Sequence, residues 1–390
     1  MGWTSSASEA RPTRSLGNRR GPRAADAGFR FGLEAEFLLV EAETFQPVWH
    51  RDLSFATLNA ALESIPVADL PSCDGLTLPR PHRRSMPYYV EGYHVPDPQA
   101  EGAELVPKGI EIRTPVCGSI EEAVALLLEL HTRMQPALAA LGYQAVALSH
   151  HPTEDRFDGP QGARRFDQWQ WAKEVMLTYG PDVNVGLPAR LADRIDESDL
   201  LAKINFYAPA VVALTLASPL HRGEPWAVDG RVGKSLRTYR RSVSGQAWRW
   251  HPHQGGRLEF KGFEMTHRLG DFQAYFLLWL EILLDDGLRG RAGNQSRVYN
   301  LGAVARDGLA VETIGARAAE VLERAPATLA AWGFDAQPLS PFVTRLTSGV
   351  LPADEILALY EREGSIPGLL RHLTPLVPVE ATPTASALVS

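Results

Sequence analysis

The chain has few cysteines and no long apolar segment, and these absences exclude several classes of protein. Its 390 residues include two cysteines, Cys73 and Cys117, too few for a disulfide framework or a cysteine-based metal site. The most apolar run, residues 272–284, is interrupted by Glu281 and is too short to span a bilayer. The first 28 residues lack the apolar stretch of a secretory signal. We therefore expect a cytoplasmic protein with no membrane association.

Charge and motif content exclude two further kinds of binding. The net charge of −7 argues against general nucleic-acid binding. Neither a Walker A loop nor a glycine-rich dinucleotide fingerprint is present. If the chain binds a nucleotide, its phosphates would have to be held by metal ions and basic side chains.

The length allows one large domain or two ordinary ones, and the lack of a repeat or linker favours a single domain over residues 29–377. We find no internal repeat and no clear linker in the 390 residues. Residues 1–28 are rich in Arg, Ser and Gly and are interpreted as a disordered leader, and residues 378–390 as a disordered tail. The oligomeric state is not defined by the sequence, although a homodimer is one option.

One stretch of the chain places two acids side by side in an apolar setting. Residues 29–40 are apolar and β-prone, which predicts a buried strand, and residues 32–37 within it read GLEAEF. Glu34 and Glu36 are two positions apart and share a face of that strand. Burying two uncompensated carboxylates costs several kcal/mol, and a multivalent cation would compensate both. The alternative is a solvent-exposed polar face that continues into Glu41 and Glu43.

Three later segments repeat this alternation of polar and apolar residues. Residues 104–115, 182–187 and 256–262 each predict a half-buried strand. The polar side chains that they present are Glu104, Glu111, Asp182, Asn184 and Glu259. Such a surface of carboxylates suits Mg²⁺, and also Mn²⁺, better than zinc, which favours Cys and His.

Basic residues accompany the acids. They are Arg113, Lys261, Arg231, Lys234, Arg237, Arg240 and Arg241. With Mg²⁺ on the sheet face, they could neutralise charge on a transferring phosphoryl group. The alternatives are an ion pair of Glu111 with Arg113 that has little energetic effect, and a solvated basic face over residues 231–241. Helices are predicted near residues 55–64, 119–136, 198–217 and 271–284.

Four of these segments together resemble a known family. In chain order they read GLEAEF (32–37), ELVPKGIEIRTPVC (104–117), DVNVGLP (182–188) and RLEFK (257–261). They resemble the motifs of the glutamate–cysteine ligase/carboxylate–amine ligase family, whose catalytic sheet is shared with glutamine synthetase. The resemblance extends over residues 29–287.

The resemblance implies an α+β fold and an ATP-dependent carbon–nitrogen ligase. The fold would be a curved, mainly antiparallel sheet with an acidic concave face and helices packed on its outer face. A substrate carboxylate, such as that of glutamate, would attack the γ-phosphate of ATP, and an amine would then displace phosphate from the acyl-phosphate to leave a γ-glutamyl-type amide. The implied cofactors are ATP and Mg²⁺, and the implied partners are a small carboxylate and an amine.

The resemblance also implies roles for particular residues. One metal would be held by Glu36, Glu104 and Glu111, and another by Glu34, Asp182 and Glu259. The catalytic contacts to phosphate or to the substrate carboxylate would come from Arg113, Arg237, Arg240 and Lys261. The implied ATP- or substrate-binding residues are Asn184, Arg241 and Lys234.

Two positions depart from the family pattern. Asp182 stands where the family has a histidine ligand, and Lys261 replaces an arginine, which removes a bidentate fork for phosphate or carboxylate. These departures bear on the substrate more than on the reaction type. The rival hypotheses are a phosphotransferase that acts on a small carboxylate or guanidino substrate, and a catalytically inactive binding or regulatory relative.

Overall fold

The computed structural model describes residues 28–73, 78–79, 81–95, 105–159, 172–241, 247–293 and 302–378. Most of the proposed leader and tail, residues 1–27 and 379–390, lies outside the described residues, as does Glu104. Within the described ranges, no helix is long and apolar enough to cross a membrane.

A twisted antiparallel sheet forms the centre of the described chain. Its strands are β1 (Arg30–Glu41), β2 (Tyr88–His94), β3 (Leu105–Arg113), β4 (Tyr143–Val146), β5 (Pro181–Gly186), β10 (Trp248–His251) and β11 (Arg257–Phe260). Their order is β10-β11-β5-β1-β3-β2, with β4 paired to the far end of β1. Two small hairpins, β6 (Leu220–His221) with β7 (Glu224–Pro225) and β8 (Ala227–Val228) with β9 (Arg231–Val232), lie outside this sheet.

Helices account for most of the remaining described residues. They are α1 (Phe55–Glu63), α2 (Ile120–Ala139), α3 (Ala189–Ala192), α4 (Glu197–Ala213), α5 (Leu236–Arg241), α6 (Leu269–Leu284), α7 (Gly302–Asp307), α8 (Glu312–Ala331), α9 (Ser340–Ser348), α10 (Pro352–Glu363) and α11 (Ile366–Leu373). Short 3-10 helices occur at His50–Asp52, Gly308–Ala310 and Gln337–Leu339.

The alternation of residues along β1 gives the sheet two different faces. Leu33, Ala35 and Phe37 are fully buried in the main core, to which α2, α4, α6 and α8 contribute their apolar sides. Glu34 and Glu36 project to the opposite face, because successive side chains of a strand alternate. Further along that opposite face, Leu38 and Val40 pack against α10 and α11 in a second core. The C-terminal helices therefore close one end of the acidic face.

Two predicted helices differ from the structure at their ends. Helix α2 starts as expected, with the hydroxyl of Ser119 accepting a hydrogen bond from Glu122 N, but it continues past Pro136 to Ala139. A proline near the last turn removes one N–H donor, and here the turn closes without it. Helix α4 is capped by Asp196, which accepts from the backbone N–H groups of residues 198 and 199, so Ser198 lies inside the helix. That helix ends at residue 213, before the predicted 217.

The expected fold class is confirmed. The described chain is an α+β protein with a curled, antiparallel sheet that carries acids on one face and packs helices on the other. The segment at residues 236–241, part of the basic stretch at residues 231–241, is helix α5.

Candidate active site

The strand register brings the predicted acids together across the sheet. Glu34 on β1 lies opposite Arg113 on β3 on one side and Asp182 on β5 on the other. Glu36 lies opposite Glu111. One strand further, Glu259 on β11 is opposite Asn184. Residues that directly face one another across antiparallel strands have Cβ atoms about 5 Å apart, so acids from four strands converge on one surface.

Six carboxylates on this surface form two clusters. The Glu36 cluster consists of Glu36, Glu91 and Glu111, and the Glu34 cluster consists of Glu34, Asp182 and Glu259. Within each cluster, one oxygen from each residue lies within 4.8 Å of the others. All the donors are carboxylate oxygens, which is the donor set that Mg²⁺ and Mn²⁺ prefer. The residues present therefore fit a hard divalent cation.

Glu91 is a member that the sequence interpretation did not include. Glu91 lies on β2, and only the pairing of that strand with β3 places it beside Glu111. Glu104, the predicted third ligand of this group, lies outside the described residues. The role assigned to it stays a prediction.

A bulge in β3 directs Lys108 toward the Glu36 cluster. Glu91 pairs with Gly109 and Gly92 with Pro107, so Lys108 has no partner in the ladder. Bulges of this kind re-aim a side chain. Its Nζ lies 3.0 Å from Glu36 Oε2 and donates to the carbonyl of Thr178 at 2.7 Å, and the side chain is 3% exposed.

Arg113 connects the two clusters. Its Nε lies 2.7 Å from Glu111 Oε2 and 3.4 Å from Glu34 Oε2, and its Nη2 is also 2.7 Å from Glu111 Oε2. The guanidinium stacks over the ring of Tyr89, 4.7 Å from its centroid. A planar, permanently charged group of this kind is suited to hold two carboxylates at fixed separation.

The two positions that depart from the family pattern contact each other. Lys261 Nζ binds Asp182 Oδ2 and lies 3.2 Å from Glu259 Oε1. Arg257 Nη1 lies 3.5 Å from the same Glu259 oxygen and also donates to Asn184 Oδ1. The extra negative charge at position 182 is thus matched by the ammonium at position 261.

Burial and these cations act in opposite directions on the pKa values of the acids. Burial raises the pKa of Glu91 and Glu111 to about 7, although Lys108 and Arg113 oppose it. Burial likewise raises the pKa of Asp182 to about 6 against the effect of Lys261. Burial raises the pKa of Glu36, but the ion pair and hydrogen bond with Lys108, together with the charges of Arg241 and Arg237, bring it below its ordinary value. Burial raises the pKa of Glu34 as well, so negative charge is incompletely compensated by the protein in both clusters.

Arg237 is buried beside Glu36 rather than exposed to solvent. Its guanidinium donates to the carbonyls of Lys261 and Gly262 at 3.2 and 3.4 Å. It packs on Gly180, where a Cβ would lie 1.9 Å from Arg237 Nη2. The N–H of Gly180 in turn donates to Glu36 Oε2 at 3.0 Å. A side chain at position 180 would therefore force the guanidinium away from its present position.

A fully buried carboxylate, Glu264, supports Arg237 from behind. It accepts hydrogen bonds of 2.6–2.9 Å from the hydroxyls of Ser218, Ser235 and Thr238, and lies 3.8 Å from Arg237 Nη1. The sequence interpretation missed Glu264. Its position just after β11 carries no alternation signal, and its hydroxyl partners are distant in sequence.

The other predicted basic residues have different positions. Arg240 donates to Glu174 and to the carbonyl of Asp155, each at 2.6 Å, and Lys234 pairs with Asp354 on α10. These contacts direct both side chains to groups outside the two clusters. Arg241 is near enough for its charge to lower the pKa of Glu36. Asn184 donates to Glu34 Oε1 at 3.2 Å and so belongs to the constellation.

Comparison with known families agrees with this geometry. The model of glutamate–cysteine ligase family 2 matches residues 30–254, more than half of the chain. The chain belongs to this family. A provisionally named glutamate–cysteine ligase 2 of Jannaschia sp. (strain CCS1) is 26% identical over 204 residues, which cover 51% of this chain and 44% of that protein. The chain thus spans less than half of that curated relative.

Solved structures with a similar fold are also ligases or synthetases by name. The bifunctional glutathione synthetase from Pasteurella multocida has a TM-score of 0.58 at 18% identity and covers 89% of this chain and 52% of that one. The glutamate–cysteine ligase from Francisella tularensis in complex with AMP has a TM-score of 0.57 at 12% identity, with 89% and 88% covered. At these identities the likeness shows a shared fold.

Proposed function

We propose that this family member is an ATP- and Mg²⁺-dependent ligase that joins a carboxylate to an amine through an acyl-phosphate. The observation that carries the proposal is the pair of carboxylate clusters on one sheet face, with Lys108, Arg113 and Lys261 fixed among them. Membership of glutamate–cysteine ligase family 2 supports the reaction class. Glutamate is the first acyl donor to test, since the relatives are named for it.

The cation would be held by acids whose negative charge the protein's own cations neutralise only in part. Glu36, Glu91 and Glu111 would bind Mg²⁺, which would neutralise charge on the phosphates of ATP. Lys108 and Gly180 bind one oxygen of Glu36 and fix the orientation of that carboxylate. Such outer contacts commonly orient metal-binding side chains.

The basic groups would act on the substrates. Arg113 and Lys261 place positive charge on the face where the phosphates would lie, and Arg237 is held beside them by Gly180 and Glu264. Preorganised charge of this kind stabilises a transferring phosphoryl group. In the first step a carboxylate oxygen bonds to the γ-phosphorus as the bond to the β–γ bridging oxygen breaks, and ADP leaves. In the second step the amine bonds to the acyl carbon, loses a proton, and phosphate leaves.

The experiment is a coupled screen of Mg-ATP with pairs of amino acids and amines. We expect ADP and phosphate to form only when both co-substrates are present, with a product mass equal to acid plus amine minus water. A stable phosphorylated product from one substrate would support a phosphotransferase instead. Absence of ATP binding at millimolar Mg²⁺ would support the inactive binding protein.

A further inference from the structure

The two carboxylate clusters differ in how many of their oxygens lie close to a side-chain nitrogen of the protein. In the Glu34 cluster, a side-chain nitrogen lies within 3.5 Å of five of the six oxygens. Asn184 and Arg113 each approach one oxygen of Glu34, and Lys261 and His251 approach those of Glu259. In the Glu36 cluster, the described residues provide such contacts to two of the six: Oε2 of Glu36 and Oε2 of Glu111.

The position of the cation also differs between the clusters. Lys261 Nζ bridges two members of the Glu34 cluster, Asp182 and Glu259. By contrast, Lys108 makes its ion pair with a single member of the other cluster, Glu36, and its second bond goes to a backbone carbonyl. Lys261 therefore lies among the carboxylates, whereas Lys108 holds one of them from the side.

We propose that the ammonium of Lys261 is the resident cation of the Glu34 cluster, and that the Glu36 cluster is the one that binds a divalent ion. The inference rests on the proposed cation-dependent function, which it deepens. A bridging ammonium neutralises part of the charge that would attract a metal, and it occupies the oxygens that the metal would need. Asp182 and Lys261 are then one coupled feature. Together they place a positive charge of the protein where a second metal would otherwise lie.

The test is a count of bound Mn²⁺ on metal-stripped, full-length protein without nucleotide, by the loss of the free-ion signal in electron paramagnetic resonance. The wild-type protein should bind one Mn²⁺. Glu91→Gln should weaken that binding at least tenfold, while Asp182→Asn should change it less than threefold. Glu43→Gln, at an exposed loop position, is the matched carboxylate control and should have no effect.

Removing the lysine should create a second site. Lys261→Met should raise the count from one Mn²⁺ to two, and adding Asp182→Asn should lower it to one again. The inference would be overturned by two equivalent ions in the wild-type protein. It would also be overturned if Asp182→Asn lost Mn²⁺ binding and Glu91→Gln did not. Both outcomes can be measured even if the lysine variant fails to fold. A folded Lys261→Met protein that gains no ion would overturn the inference as well. Counting bound Mn²⁺ does not depend on turnover. If the counts are as expected but the protein forms no amide, only the proposed function is contradicted.

Discussion

Replacing Lys108 with methionine tests whether the protein itself compensates the charge of Glu36. The change keeps the length and apolar character of the buried side chain but removes the ammonium that lies 3.0 Å from Glu36 Oε2. Burial would then raise the pKa of Glu36 with only the charges of Arg241 and Arg237 opposing it, in the direction seen for its buried neighbours Glu91 and Glu111, whose pKa values are about 7 against an ordinary 4.5.

The expected cost follows from that comparison. A carboxyl whose pKa in the folded state exceeds its unfolded value destabilises the protein increasingly as the pH rises from 4.5 to 7. For a folded pKa near 7, the penalty is about 3 kcal/mol at pH 7 and about 0.8 kcal/mol at pH 5. The unpaired carbonyl of Thr178 adds about 1 kcal/mol at both pH values. Lys108→Met should therefore lose more stability at pH 7 than at pH 5, by up to about 2 kcal/mol.

Urea unfolding in a chelator-containing buffer at the two pH values measures this difference. The double variant Lys108→Met with Glu36→Gln is the matched control, because it removes the ionisable group and should remove the pH-dependent part of the loss. An equal loss of stability at pH 5 and pH 7, or a double variant no better than the single one at pH 7, would refute the reasoning.

Two further substitutions test the support of the site and the helical layer behind the sheet. Gly180→Ala places a Cβ 1.9 Å from Arg237 Nη2, so ATP turnover should fall at least tenfold. In the control variant Gly293→Ala, the new Cβ meets nothing within 4 Å, and turnover should stay unchanged. Equal turnover of the two variants in a phosphate-release assay would contradict the role given to Arg237. In α6, burial and a hydrogen bond to Asp285 raise the pKa of Glu281 to about 8. The stabilising contribution of this carboxyl is therefore fully present below pH 4.5 and is lost as the pH rises toward 8. Glu281→Gln should therefore stabilise the protein at pH 8 by on the order of 3 kcal/mol, and by much less at pH 5. If urea unfolding shows the same gain at both pH values, the raised pKa of Glu281 is wrong.

Local pattern was sufficient to predict the first strand and the orientation of its acids. The alternation around Glu34 and Glu36 placed both on one face, and the hydroxyl of Ser119 marked the start of α2. Such features depend on neighbours within a few positions along the chain. They are the part of the site that one sequence can provide.

The remaining parts of the site depend on contacts between distant segments. Glu91 joins the cluster through the pairing of β2 with β3, and Lys108 faces it because of a bulge in that pairing. Neither register nor bulge follows from alternation alone. The sequence showed Asp182 and Lys261 as two separate departures, but the neighbouring strands β5 and β11 place them in contact. Their mutual charge compensation is visible only in three dimensions.

The most direct test of the central claim is the turnover of Mg-ATP by Glu36→Gln beside Glu43→Gln. Glu36 lies within 4.8 Å, oxygen to oxygen, of Glu91 and Glu111, whereas Glu43 is exposed on a loop. If the carboxylate surface holds the cation that ATP needs, Glu36→Gln should reduce co-substrate-dependent phosphate release at least a hundredfold, about 2.7 kcal/mol, and Glu43→Gln should match the wild-type rate. Near wild-type turnover by Glu36→Gln would contradict the assignment of this surface as the active site.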